Sequence, residues 1–152
     1  MADSDKVLNN LRRLCSRREY CTKDVLAKAE KALEGDKDGA RKILDILVSE
    51  KYVDDLRYAG AYARDKSSIA GWGEVKIRYM LSAKGIGRDI ISAALEEIDQ
   101  RKADDRLVKL IENKKRALKD DPQARMKLLR FALGRGYTYD EISDVLKDYE
   151  EI

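Results

Sequence analysis

Three aspartate doublets, Asp54-Asp55, Asp104-Asp105 and Asp120-Asp121, are the first residues whose pairing could do chemistry, as oxygen ligands for a hard cation. Each stands where a helix is expected to begin, and adjacent helical residues do not point the same way. Helix capping is therefore their predicted role. Gly71-Trp72-Gly73 has the glycines of a phosphate loop but neither the Walker spacing nor a preceding strand, and reads as a turn with an anchored indole. Ser67-Ser68 has no partner base and reads as loop. Cys15 and Cys21 form neither a zinc quartet nor a CxxC pair, and are expected to stay reduced, with Cys15 filling a core. The chain contains no histidine, so the usual general base near neutral pH is missing. The prediction is a protein that is not an enzyme and uses no metal and no cofactor.

Positive charge is the other candidate chemistry. It gathers at Arg12-Arg13, Arg17-Arg18, Lys76 with Arg78, Lys84 with Arg88, and Lys114-Lys115-Arg116. Any one of these clusters alone is an ordinary solvated helix face. Recurrence changes the reading: Lys84 and Arg135 occupy the same place in successive segments, and so do Lys76 and Lys127. Charge repeated in this way lines up along one side of a stacked array and suits an extended anionic partner. The net charge of +3 is mild, so global charge does not by itself require nucleic acid. Trp72, Tyr79, Phe131 and Tyr137 lie near these cations and could stack on bases, although helical spacing assigns most of them to core.

The elements that position these residues follow from a repeat. Lys84-Gly85-Ile86 precedes a segment in which Ile91, Ser92 and Leu95 match Ile142, Ser143 and Leu146, which follow Arg135-Gly136-Tyr137. A period of about 50 residues signals stacked helical units. The chain has 152 residues, is 40% charged and has a single proline, a usage that leaves helices uninterrupted. No apolar run approaches the ~20 residues of a spanning helix, and Met-Ala-Asp-Ser-Asp-Lys6 is no signal region, so a cytoplasmic protein without a membrane partner is expected.

Apolar residues recur at helical period throughout, giving nine segments. Thr22 is expected to cap the second, Asp54 or Asp55 the fourth, and Asp121-Pro122 to open the eighth as cap and first residue. The seventh is expected over about 104–119, and Thr138-Tyr-Asp-Glu141 is a capping box for the ninth. Gly85 and Gly136 should close helices in the left-handed conformation, with Ile86 and Tyr137 folding back. The fold class is all-α: three tandem three-helix repeats, near 5–53, 54–99 and 100–150, forming an elongated, curved protein. Such surfaces bind macromolecules more often than they build reaction pockets.

The segments Leu-Arg-Arg-Leu14, Arg17-Arg-Glu-Tyr-Cys-Thr22, Tyr52-Val-Asp-Asp-Leu-Arg-Tyr-Ala59, Gly73-Glu-Val-Lys-Ile77 and Leu81-Ser-Ala-Lys-Gly-Ile86 resemble the RecX family. The likeness continues through Lys127-Leu-Leu-Arg-Phe-Ala132 and Arg135-Gly-Tyr137, in the family's order. The first unit departs from it, reading Asp24-Val-Leu-Ala-Lys-Ala29 where the family has Glu-Leu-x-x-Lys-Leu. The resemblance implies three tandem three-helix units in a bacterial cytoplasmic protein. It further implies binding in the groove of the RecA–DNA filament, restraining recombinase, ATPase and coprotease activity. The basic positions carried over as filament or DNA contacts are Lys76, Arg78, Lys84, Arg88, Lys114, Lys115, Arg116, Lys127, Arg130 and Arg135. A monomer that binds free single-stranded DNA only weakly is expected. The alternative is a helix-turn-helix regulator reading an operator, since triple-helix units resemble such modules.

Overall fold

The computed structural model describes residues 3–147, all of them in helices or in the turns that join them. Nine helices are present among these residues: α1 (Ser4–Arg17), α2 (Thr22–Ala32), α3 (Lys37–Ser49), α4 (Asp55–Ser68), α5 (Glu74–Ala83), α6 (Arg88–Glu96), α7 (Gln100–Ala117), α8 (Ala124–Gly134) and α9 (Tyr139–Lys147). The expected third repeat runs to 150, and its residues 148–150 lie outside the described residues.

The chain divides into two compact units, one formed by residues 1–61 with 81–94 and the other by 62–80 with 95–152. The division falls inside α4, α5 and α6. In the first unit, α1 presents Val7, Leu11 and Cys15 at four-residue spacing. They pack with Val25, Ala29, Ile43, Leu44 and Leu47 of α2 and α3. In the second, Leu107 and Ile111 of α7, Leu128 and Ala132 of α8, and Ile142 and Leu146 of α9 enclose Tyr137. These inward stripes are what the three- and four-residue spacings predict.

Helix ends show where local reading stops being sufficient. The Thr138–Glu141 box forms: the Glu141 amide donates to Thr138 Oγ1 at 3.1 Å, and the Thr138 amide donates to Glu141 Oε1 at 2.9 Å. Gly85 and Gly136 are left-handed, at φ +76° and +96°. Gly85 N–H donates to Ser82 and Ile86 N–H to Leu81; Gly136 donates to Leu133 and Tyr137 to Ala132. Both closures are Schellman motifs, each with its following apolar residue buried.

Several expected boundaries are displaced. Thr22 does not cap α2. Cys21 holds the cap position without a side-chain capping bond, and the Thr22 amide is taken by Asp55 Oδ1 at 2.8 Å, a residue distant in sequence. Ser67-Ser68 is the last turn of α4 rather than loop, with Ser68 Oγ donating to the Arg64 carbonyl. Helix α7 begins at Gln100 because Asp99 caps it through the Lys102 amide, which leaves Asp104-Asp105 inside the helix. Asp121-Pro122 does not open α8. Asp121 instead accepts the Gln123 amide at 2.8 Å in a turn that precedes a helix starting at Ala124.

The aspartate doublets accordingly have separate duties. Asp54 accepts the Arg57 amide at the start of α4, Asp55 serves α2, and Asp121 pairs with Lys127 at 2.6 Å. Among the described residues, no three His, Cys, Asp or Glu side chains gather to hold a metal ion. No helix there is long and apolar enough to cross a membrane.

Candidate nucleic-acid interface

The second unit brings basic and aromatic side chains together around the turn between α4 and α5. Gly71, left-handed at φ +69°, reverses the chain so that the Trp72 amide donates back to the Lys66 carbonyl at 2.9 Å. This return lays the indole beside the last turns of α4. Tyr62 meets Trp72 edge to face, with ring centroids 6.4 Å apart. The Lys66 ammonium lies 4.8 Å from the Trp72 ring and the Lys76 ammonium 4.4 Å, distances at which a cation is attracted to the π face.

The end of α8 fixes this turn. Gly73 N–H donates to the Arg135 carbonyl at 2.8 Å, and Val75 N–H to the Gly136 carbonyl at 2.9 Å. The carbonyls just past the end of α8 thus satisfy amides at the start of α5, so the negative end of one helix meets the positive end of another. Two side chains reinforce the joint. Arg135 Nη1 donates to the Ala70 carbonyl and Tyr137 Oη to the Gly71 carbonyl, both at 3.1 Å. Burial pushes the Tyr137 phenol above its ordinary pKa, so it remains a proton donor. Arg135 also lies 5.3 Å from the Phe131 ring, and Lys114 lies 5.2 Å from the same ring.

The first unit contains a related joint built from side chains. Lys23 Nζ donates to the Ala83 carbonyl at 3.0 Å, and Lys84 Nζ pairs with Asp24 at 3.0 Å, at the start of α2 and the closure of α5. Burial raises the Asp24 pKa, but hydrogen bonds from Lys84 and Cys21 outweigh it and hold the carboxyl below its usual range. Cys21 itself is buried, which pushes its thiol up, and Cys15 shows the same shift for the same reason. Tyr20 carries two cations as Trp72 does: Arg18 at 4.4 Å and Lys28 at 5.5 Å.

The sequence candidates therefore separate. In the second unit Lys76 lies over Trp72, and Lys114 and Arg135 lie beside Phe131. Lys84 and Lys127 are committed to Asp24 and Asp121, and Arg135 gives one nitrogen to the Ala70 turn. Lys114, Lys115 and Arg116 form the last turn of α7, where cations also favour the helix dipole. Arg78 and Arg130 are exposed and make no interaction among the described residues, and Arg88 is exposed at the first position of α6. Repeat position does not single out Lys66. Its place one helical turn beyond Tyr62 is a legible signal, but only the Gly71 reversal brings Trp72 to it.

Comparison with known proteins identifies this frame. Family models for the second and the third three-helix domain of RecX match residues 54–95 and 103–146. The chain belongs to the RecX family. It is 35% identical over 117 residues to a regulatory protein RecX of Clostridium botulinum, covering 74% of this chain and 54% of that protein. The corresponding protein of Clostridium perfringens is 32% identical over 123 residues, covering 78% and 56%. The chain spans about half the length of these curated RecX relatives. The crystal structure of RecX from Lactobacillus salivarius superposes with a TM-score of 0.82 at 23% identity, covering 98% of this chain and 97% of that one. A second crystal structure, of a regulatory protein RecX, gives 0.84 at 22% identity, covering 95% and 71%. The all-α RecX fold is thus shared across low identity.

Proposed function

We propose that this RecX-family chain regulates the RecA recombinase by binding the groove of the RecA–DNA filament. There it mostly restrains strand exchange, ATP hydrolysis and coprotease activity. The observation that carries this reading is the ordered match to two successive RecX domains, the second of which contains the Gly136-Tyr137 closure that fixes the turn carrying Trp72. The cations over Trp72 and Phe131 support it because cations placed over aromatic rings suit a phosphate-bearing partner and carry no pattern for reading base edges. No step of covalent chemistry is assigned to the protein. It acts as a cytoplasmic monomer, without cofactor, and holds free single-stranded DNA only weakly.

The deciding experiment is cosedimentation with a recombinase filament on single-stranded DNA, set against DNA alone and recombinase alone. Binding to the filament should exceed either control and survive near-physiological salt, since protein–protein association releases few counterions. Recombinase ATP hydrolysis should fall in parallel. Loss of inhibition with salt in step with loss of naked-DNA binding would reduce the protein to a mask for DNA. Arg78→Glu with Arg130→Glu is the variant to use, because these exposed side chains hold no structural partner among the described residues. It should weaken filament binding with an unchanged circular-dichroism spectrum.

A further inference from the structure

We propose that Trp72 with Lys66 and Lys76 is a binding site for single-stranded nucleic acid. A base stacks on the indole, and an adjoining phosphate bridges the two ammonium groups. The inference rests on the reading that the partner carries a DNA strand, and adds which residues hold that strand and how.

Three observations carry it. Two ammonium groups lie within 5 Å of one ring, and neither is ion-paired to a carboxylate among the described residues. A strand phosphate beside the ring would meet two cations that carry no carboxylate counter-charge among the described residues. At the neighbouring N-terminus of α5, the Gly73 and Val75 amides are already given to the Arg135 and Gly136 carbonyls. The two ammonium groups are the side-chain cations an anion would meet beside the ring.

The ring supplies the second part of the recognition. Trp72 is half-buried, and bases of any kind stack on such rings in single-strand binding proteins. In a duplex the bases are already stacked, so the site favours single strands. The third observation is recurrence. Tyr20, with Arg18 and Lys28, stands two residues before α2 as Trp72 stands two residues before α5. The residue types differ between the two places while the arrangement of one ring and two cations is kept. Ahead of α8 the chain has Pro122-Gln123 and no ring.

Trp72 is the one tryptophan of the chain, so its fluorescence reports this ring alone. The full chain is titrated with an oligothymidylate strand, with a duplex of equal length, and with inorganic polyphosphate at equal phosphate concentration. The single strand should quench emission at least severalfold more than either control. Lys66→Met with Lys76→Met keeps the aliphatic stems over the indole and removes both charges. It should weaken strand binding about tenfold, with unchanged melting and a log–log salt slope shallower by roughly 0.7 for each phosphate no longer neutralised. Equal quenching by polyphosphate would leave an anion site without base stacking and overturn the proposal. So would tight binding of a labelled strand that leaves Trp72 emission unchanged. No recombinase is present in the titration, so its result is separate from that of the filament cosedimentation.

Discussion

Gly73 and Gly136 meet backbone to backbone. A Cβ on Gly73 would lie 2.5 Å from the Gly136 carbonyl carbon, and one on Gly136 would lie 2.7 Å from the Lys76 nitrogen and closer still to the Lys76 Cβ. Both approaches belong to the joint where α8 ends on the start of α5, so neither glycine is there for its dihedral freedom alone.

Gly136→Ala should therefore cost more than Gly85→Ala. Both place a side chain at positive φ, worth about 1–2 kcal/mol, but a Cβ at Gly85 would meet only the flexible Lys23 stem at 3.7 Å. The Gly136 variant adds an overpacking cost of about 1–3 kcal/mol. Urea unfolding of the two variants checks the order, and equal midpoints would show that the joint gives way without cost.

Lys51 occupies the left-handed position after α3 at φ +66°, with its amide donating to Val48. Lys51→Gly should raise stability by about 0.5–1 kcal/mol, the relief of strain less the greater freedom of glycine in the unfolded chain. A higher melting temperature is the expected result.

Acid stability should depend on Lys84. The Asp24 pKa is lowered in the folded chain, so the stability it contributes is present above the ordinary aspartate value of about 3.9 and is lost as pH falls through the folded value. Lys84→Met should be less stable than the parent near neutral pH, with the difference narrowing toward about pH 2. A difference constant with pH would mean that the pair is mere packing.

Thr138→Ala removes the hydroxyl that accepts the Glu141 amide and should cost about 1 kcal/mol. Thr138→Ser should restore most of it, and chemical denaturation of the two variants separates the cap from the lost methyl group.

Much of this fold is local. Val7, Leu11 and Cys15, or Ile142 and Leu146, lie on one face because a helix returns to the same side every three or four residues. The all-α class, the helix count and the Gly85 and Gly136 closures are legible for that reason. The Thr138 box is legible too, since both its partners lie within one turn of chain.

What spacing does not reveal depends on partners far apart in sequence. The Thr22 amide is satisfied by Asp55 and the Gly73 amide by Arg135, and no helical period connects either pair. The cations divide in the same way. Composition and repeat position single out Lys84 and Arg135 as candidates, yet one is held by Asp24 and the other by the Ala70 carbonyl. Lys66 and Lys76 come to share Trp72 because a left-handed Gly71 turns the chain back on α4. Sequence by itself determined the helices and the inventory of charge, because both follow from residue type and near neighbours. Tertiary structure decided which charges are structural and which surround an aromatic ring, because only packing brings distant residues within reach of a hydrogen bond or a π face.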